Sequence, residues 1–146
     1  GAMKNILSVA VGISDGLGLG SNAKAALISR GIVEMRIIGE ILNCDTDTIY
    51  GLSGLGDLVL TANDNLSRNR RLGIEIAQGS TIKDAEKKIG QVVEGIFASQ
   101  GLDILIKKYA LNLPISSKVF DIINEKVNPK DAVNDLLLRE KKSEFV

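Results

Sequence analysis

One segment constrains the fold of this chain more than any other. Between Ser21 and Asn43, apolar residues recur at helical spacing in two adjacent stripes: Ile28, Ile32, Met35, Gly39 and Leu42 in the first, and Leu27, Gly31, Ile38 and Ile41 in the second. This periodicity predicts an amphipathic α-helix, which Ser21 can cap. Because the two stripes cover a wide arc, we predict that this helix is central and mostly buried.

Similar signals predict helices along the rest of the chain. A serine or threonine cap, a proline in the first turn, or an apolar stripe marks predicted helices over 45–50, 67–78, from Ser80 or Thr81 to 88, after the 90–95 break to 109, from Pro114 onward, and from 129 to about 139. We therefore predict an all-α domain over residues 4–139 with a frayed, charged tail over 140–146. Residues 1–3 are typical of an expression scar followed by a start residue.

One stretch near the start is ambiguous between a strand and a helix. Ile6 to Ile13 is apolar and rich in β-branched residues, and Gly18-x-Gly20-x-x-Ala23 fits the dinucleotide-binding fingerprint. In a Rossmann unit, however, the glycines follow the strand at once, and here four residues intervene. No later alternation of strands and helices could complete a parallel sheet. We therefore predict a helix from Lys4 to Leu17 that ends in a glycine-rich turn.

The composition excludes several classes of function. Eighteen basic and eighteen acidic residues cancel, which argues against a protein that binds nucleic acid through general positive charge. The chain has no histidine and one cysteine, Cys44, so it cannot form an internal disulfide or a Ser-His or Cys-His nucleophile, and we predict no metal site. No segment is typical of a membrane span or a signal peptide, and we predict a cytoplasmic protein.

Ser67-Arg68-Asn69 is the sharpest local signal for chemistry. A serine at a helix start, with free backbone N–H groups behind it, forms a ready anion site, and Arg68 adds a donor suited to phosphate. The commoner explanation of such a pattern is an ordinary capped helix with solvated arginines. A nucleic-acid patch is a third explanation, but no aromatic residues accompany these arginines. Spacing alone favours the ordinary capped helix over the anion site, because capping serines are common.

The remaining candidates are weak without further context. Asp57 closes a glycine-rich stretch before apolar residues, where a carboxylate must be paired, hydrogen-bonded or hydrated. It fits a helix cap as well as a group that orients a cation or a substrate hydroxyl. Lys4 and Glu94 have the spacing of ordinary surface residues, and Cys44 lacks an imidazole that could activate it.

Taken together, these segments resemble the C-terminal domain of bacterial NAD(P)-dependent glycerol-3-phosphate dehydrogenases. The motifs that carry the resemblance, in order, are Lys4-Asn5, Gly12-x-x-Asp15-Gly16-x-Gly18-x-Gly20-x-Asn22-x-Lys24-Ala25-Ala26-Leu27, Gly31-x-x-Glu34-Met35, Gly51-Leu-x-Gly-Leu-Gly-Asp-Leu58, Thr61, Ser67-Arg-Asn-Arg-Arg71 and Gly90-Gln-Val-Val-Glu-Gly95. The resemblance extends from Lys4 to about Gly95 and continues more weakly through Leu113-Pro114-Ile115 to the end.

The resemblance implies a helical domain of the 6-phosphogluconate dehydrogenase C-terminal type. Members of the family join such a domain to an N-terminal Rossmann domain, which is absent from this sequence. They interconvert dihydroxyacetone phosphate and glycerol 3-phosphate by hydride transfer with NAD or NADP, and so supply the backbone of phospholipids. The partners implied are a phosphorylated three-carbon substrate and the protein's own Rossmann domain, and we expect the chain alone to be inactive.

The resemblance also assigns roles to individual residues. Lys4 matches the family's catalytic lysine, which suits a chain without histidine, because an ammonium can polarise a ketone and protonate the alkoxide formed. The expected substrate-binding residues are Lys4, Asp57, Ser67, Arg68 and Asn69. The expected cofactor contacts are Arg68, Val92 and Glu94, and Asn5 and Thr61 are expected in support. Because Lys4 begins the matched region, its helix lacks upstream turns, and we expect it to be the least securely held.

Two other interpretations stay open at this point. The chain could be a helical module whose main role is to form a homodimer. It could also be the substrate domain of a related 6-phosphogluconate or hydroxyacid dehydrogenase, although the combination of Lys4 with Ser67-Arg68-Asn69 argues against that family.

Overall fold

The computed structural model describes residues 2–43 and 52–144. Within these ranges the chain is helical throughout and has no strand, which confirms the all-α prediction. The elements are α1 (Ala2–Gly16), α2 (Ser21–Ile41), a π-helical turn (Leu52–Gly56), α3 (Asp57–Ala62), α4 (Arg68–Ala77), α5 (Ile82–Ile89), α6 (Glu94–Tyr109), α7 (Pro114–Ile123) and α8 (Pro129–Glu144). The helix predicted over 45–50, together with Cys44 and Gly51, lies outside the described residues.

The central helix is α1. The prediction that the helix beginning at Ser21, α2, is central was wrong. The unbroken run from Ile6 to Ser14 is apolar or small, and nearly all of α1 from Met3 to Ser14 is buried. In α2 the stripe that contains Leu27, Gly31 and Ile38 is buried except for the partly buried Ile41, whereas the other stripe is mostly half-buried and ends at the exposed Leu42. The wide apolar arc of α2 therefore predicts more burial than this helix has, because α2 packs on α1 along one face only.

The segment near the start of the chain that was ambiguous between a strand and a helix is helical. Ile6 to Ile13 lies inside α1, so the dinucleotide fingerprint does not apply to Gly18 and Gly20. Both of these glycines have positive φ angles, 69° and 89°, in the turn between α1 and α2. The prediction that Ser21 caps α2 was wrong, since Gly20 occupies the cap position and Ser21 is the first helical residue.

Most of the other helix ends lie where the capping signals predict. The side chains of Ser67 and Thr81 accept backbone N–H groups at the starts of α4 and α5, and Pro114 opens α7. Two ends differ from the prediction. The last helix continues past Arg139 to Glu144. Met3, which we had set aside with the scar, is 7% exposed and belongs to the core.

Glycines bring α1 and α4 into unusually close contact. A Cβ atom at Gly12 would overlap the carbonyl oxygen of Arg70, and one at Gly73 would overlap that of Val9. Both obstacles are backbone, so no side chain could move aside to make room. The two helices run in parallel, because Asn5 meets Asn69 near their starts and Gly16 meets Ala77 farther along. The close packing therefore fixes the start of α4 beside the start of α1.

A buried carboxylate connects α2 to the start of α7. Leu113 precedes α7 and has no side-chain acceptor, so the first N–H groups of that helix need a partner from elsewhere. Glu34 provides it: its fully buried carboxylate accepts from Ile115 N at 2.8 Å and from Ser116 N at 3.1 Å and Oγ at 2.9 Å. The positive end of the α7 dipole also favours this negative charge.

The ionisation of Glu34 should make stability depend on pH. Burial raises the pKa of Glu34 above its ordinary value of 4.5, against the opposing effect of its hydrogen bonds. The folded state then binds the proton more tightly than the unfolded state, so this group's contribution to stability is lost as the pH rises from about 4.5 through the folded pKa. We expect the free energy of unfolding, taken as wild type minus Glu34→Gln, to decrease over that range in urea titrations.

The exposed neighbour Glu40 provides the control for this experiment. Its side chain is 72% exposed on the same helix, so wild type minus Glu40→Gln should show no comparable slope. A flat or rising difference for Glu34 would contradict this account of the cap.

Candidate functional site

A polar cleft of about 280 Å³ lies where the starts of α1, α4 and α6 meet. The residues that line it are Lys4, Asn5, Thr61, Asp64, Leu66, Ser67, Arg68, Asn69 and Glu94. Sequence segments that are far apart therefore meet in one place, and most of the residues singled out from the sequence are among them. Of the others, Asp57 is joined to the cleft through Lys4, and Val92 lies outside its lining with a 62% exposed side chain.

Lys4 stands in the first turn of α1 and pairs with Asp57 in the first turn of α3. Lys4 Nζ donates to Asp57 Oδ2 at 3.3 Å. The two side chains are 29% and 49% exposed, so solvent screens the pair and it contributes little to stability. A π-helical turn, Leu52–Gly56, leads directly into Asp57, and Thr61 follows one helical turn later on the cleft side. The pair directs the ammonium of Lys4 while leaving it accessible.

The start of α4 presents both backbone donors and a cation to the cleft. Ser67 Oγ accepts the N–H of Arg70, as a cap residue does, and its hydroxyl hydrogen stays available as a donor. Arg68 follows it, exposed, with Nη1 donating to Gln91 Oε1 at 3.0 Å. Gln91 belongs to the Gly90 to Gly95 segment, and the sequence alone did not single it out as a partner of Arg68.

An amide network joins the three helix starts. Asn69 Nδ2 donates to Asn5 Oδ1 at 3.1 Å, while Asn69 Oδ1 accepts the backbone N–H of Gly95 at 2.8 Å. Asn5 Nδ2 in turn donates to Glu94 Oε2 at 3.3 Å. A Cβ atom at Gly95 would lie 2.7 Å from Asn69 Oδ1, so the absence of a side chain there permits the contact. Asn69 and Asn5 therefore hold the floor of the cleft together.

The electrostatics of the cleft favour an anionic ligand that also has polar groups. The starts of α1, α4 and α6 bring the positive ends of three helix dipoles together, and Lys4 and Arg68 add two cations. Asp64 and Glu94 place carboxylates on the rim, which suits hydroxyl groups better than a second anion. A small molecule with one phosphate and neighbouring oxygens matches this arrangement.

Beside the cleft lies an ion cluster that the sequence did not reveal. Asp15 Oδ2 accepts from Arg70 Nε at 3.1 Å, Arg70 Nη2 at 3.0 Å and Lys24 Nζ at 3.1 Å. The capped-helix alternative treats Arg70 as solvated, but its side chain is only 14% exposed. A lone Asp15 and a lone Arg70, 55 positions apart, give no local signal that could predict their contact.

Residues 2–43 and 52–144 contain no group of three His, Cys, Asp or Glu side chains placed to hold a metal ion. No helix in these ranges is long and apolar enough to cross a membrane.

Comparison with known proteins identifies a consistent set of relatives. A family model described as NAD-dependent glycerol-3-phosphate dehydrogenase C-terminus matches residues 1–134. Glycerol-3-phosphate dehydrogenase (NAD(P)+) of Shewanella pealeana is 45% identical over 144 residues, which make up 99% of this chain and 42% of that protein. This chain therefore spans less than half the length of such relatives.

Solved structures agree with the sequence matches. The crystal structure of glycerol-3-phosphate dehydrogenase from Coxiella burnetii is similar with a TM-score of 0.91 at 47% identity, covering 94% of this chain and 42% of that one. The enzyme of the same name from Saccharomyces cerevisiae is similar with a TM-score of 0.83 at 25% identity, covering 92% of this chain and 40% of that one. The helical arrangement is thus shared with both bacterial and eukaryotic relatives.

Proposed function

The chain belongs to the family of NAD-dependent glycerol-3-phosphate dehydrogenase C-terminal domains, and we propose that it is the substrate-binding part of an enzyme that interconverts dihydroxyacetone phosphate and glycerol 3-phosphate. The observation that carries this proposal is the cleft, in which Lys4 and Arg68 meet at three converging helix starts. A cytoplasmic location belongs to the same proposal, because both reactants are small, charged metabolites.

In this proposal the start of α4 binds the phosphate. Ser67 donates its hydroxyl hydrogen, the backbone N–H groups of Arg68 and Asn69 add donors at the positive end of the α4 dipole, and the guanidinium of Arg68 supplies charge-assisted hydrogen bonds. Asn69 holds Gly95 through its amide oxygen and Asn5 through one hydrogen of Nδ2, which leaves only the second Nδ2 hydrogen for the phosphate. Its contribution is to keep the phosphate-binding turn attached to α1.

Lys4 then acts on the oxygen bonded to the carbon that changes oxidation state. Its ammonium donates a hydrogen bond to the ketone oxygen, polarises the carbonyl group, and transfers a proton to the oxygen as the alcohol forms. In the reverse direction the neutral amine removes the hydroxyl proton. Asp57, 3.3 Å from Lys4 Nζ, orients the ammonium and can accept a hydrogen bond from the adjacent substrate hydroxyl.

The cofactor is NAD or NADP, which when bound supplies or accepts the hydride. Arg68 and Glu94 line the cleft, and Val92, two residues before Glu94 and outside the lining, exposes an apolar side chain, so the three could contribute one cation, one carboxylate and one apolar surface to the cofactor. Among the cleft-lining residues Leu66 is apolar and 82% exposed, and Leu60, next in sequence to the lining residue Thr61, is 72% exposed. We infer that this face meets the protein's own nucleotide-binding Rossmann domain, which would shield the cleft from water.

A comparison of two ketones tests the proposed function. The full-length protein should oxidise NADH or NADPH with dihydroxyacetone phosphate at a far higher kcat/KM than with dihydroxyacetone, because only the first carries the phosphate. Equal values for the two ketones would contradict a phosphate-binding cleft, and no reaction with either would contradict the proposed activity.

Self-association is a second candidate role, favoured by one observation. On α6, Phe97 and Ile104 are 62% and 68% exposed and lie two helical turns apart on one face, and a Cβ at the intervening Gly101 would meet open space. A second copy of the chain packing on this face would bury both side chains. Sedimentation velocity on the chain and on a Phe97→Lys variant tests it: a dimer that the variant abolishes supports the role, and a monomeric wild type contradicts it.

A further inference from the structure

The ion cluster at Asp15 extends through Arg70 to the loop that leads into α4. Arg70 uses Nε and Nη2 to hold Asp15 at the end of α1, and its remaining terminal nitrogen, Nη1, donates to Asn65 Oδ1 at 3.1 Å. Asn65 lies in the loop before α4, two residues ahead of Ser67. One guanidinium therefore joins the end of α1, the first turn of α4 and the loop that leads into it.

The backbone of Arg70 is held as firmly as its side chain. Its N–H donates to Ser67 Oγ at 3.2 Å, and its carbonyl group packs directly on Gly12 of α1. Arg70 itself does not line the cleft, whereas Ser67, Arg68 and Asn69 do. Because successive helical residues are rotated by a fixed angle, anchoring position 70 sets the direction in which the residues at 67–69 point.

From these contacts we propose that Arg70 is a positioning residue: the link Asp15–Arg70–Asn65 holds the turn Ser67–Asn69 in the orientation that binds the phosphate. This inference rests on the proposed function of the cleft. Only arginine has the geometry for the task, because two donors must meet Asp15 while a third, in the same plane, reaches Asn65. A lysine could keep the charge pair but not the second contact at the same time.

Lys24 offers a matched control within the same cluster. It also pairs with Asp15 Oδ2, at 3.1 Å, and its side chain is 17% exposed against 14% for Arg70. No hydrogen bond joins Lys24 to the loop before α4 in the described parts of the chain. Removing Lys24 thus takes away an ion pair of Asp15 and leaves the Arg70–Asn65 connection in place.

The test compares Arg70→Lys with Lys24→Met in the full-length enzyme, with KM and kcat for dihydroxyacetone phosphate and the melting temperature measured for each. We expect Arg70→Lys to raise KM by about fivefold to twentyfold and to change kcat much less, since the lost contacts position a binding group. Lys24→Met should leave KM within about twofold, even where its melting temperature falls as much. An unchanged KM in Arg70→Lys, or equal rises in both variants, would overturn the proposal.

Two further variants keep the result decisive. Asn65→Ala removes only the exposed end of the link and should also raise KM; if Arg70→Lys does not fold, Asn65→Ala decides the outcome by the same criterion. Arg68→Gln separates this inference from the function on which it rests. A KM that rises in Arg68→Gln but not in Arg70→Lys overturns the positioning role alone, whereas a KM unchanged in both overturns the phosphate-binding cleft itself.

Discussion

Replacing Lys4 with methionine in the full-length protein should lower kcat on the order of 10²- to 10⁴-fold, which is the range expected when a general acid is removed. Methionine keeps the length and the apolar stem of the side chain but can neither donate a hydrogen bond nor transfer a proton. The chain has no histidine that could substitute, and Asp57, the partner of Lys4, is a carboxylate that accepts hydrogen bonds. Steady-state kinetics with dihydroxyacetone phosphate measures the effect.

Stability should change little in the same variant, because the Lys4–Asp57 pair is partly exposed and screened. Lys107→Met is the matched control: it removes another partly exposed lysine–aspartate pair, Lys107–Asp103 at 2.9 Å, at the far end of α6. Its kcat should equal that of wild type. A Lys4→Met enzyme with normal kcat would remove Lys4 from catalysis, and a loss of kcat matched by an equal loss in Lys107→Met would indicate a general effect.

Replacing Arg68 with glutamine should mainly weaken the binding of the phosphate. Hydrogen bonds to charged groups contribute about 1.5–3 kcal/mol, so the loss should raise KM for dihydroxyacetone phosphate about tenfold to a hundredfold. Arg68 is exposed and its hydrogen bond to Gln91 is the only one that the described chain gives its side chain, so folding should be unaffected. Inorganic phosphate, used as a competitive inhibitor, should lose affinity by a similar factor.

Arg71→Gln is the control for this substitution, since Arg71 is an arginine of the same helical turn that does not line the cleft. Both variants lower the net charge by one, so a general electrostatic effect would weaken binding equally in the two. A selective effect in Arg68→Gln locates the phosphate at the start of α4. Equal KM values for Arg68→Gln and wild type would instead favour the interpretation of an ordinary capped helix with solvated arginines.

Local signals in the sequence were sufficient to predict where most of the helices begin. Ser67, Thr81 and Pro114 mark helix starts through chemistry that acts within three or four residues, and all three predictions were confirmed. The relative burial of the helices was harder to predict. Whether α1 or α2 becomes central depends on which faces the other helices cover, and an apolar arc does not contain that information.

Contacts between residues that are far apart in the sequence could not be predicted from local signals. Glu34 and Asp15 each stand in a segment that indicates nothing about their partners, Ser116 and Arg70, which are 82 and 55 positions away. The glycines at 12 and 73 account only for the contacts between α1 and α4, since they let these two helices approach until side chains at their starts share one cleft. Most of the residues expected from the family resemblance meet there, with Asp57 joined through Lys4 and Val92 outside the lining, and their roles in binding and catalysis stay predictions.

The central claim is that this cleft binds a phosphorylated three-carbon molecule, and an NMR titration of the isotope-labelled chain tests it most directly. With millimolar glycerol 3-phosphate, we predict saturable shifts of the backbone amides of Arg68, Asn69 and Gly95, and none of comparable size with glycerol. The same titration of Arg68→Gln should require far higher ligand concentrations. Shifts that are absent from the cleft, or equal for glycerol and glycerol 3-phosphate, would contradict the account.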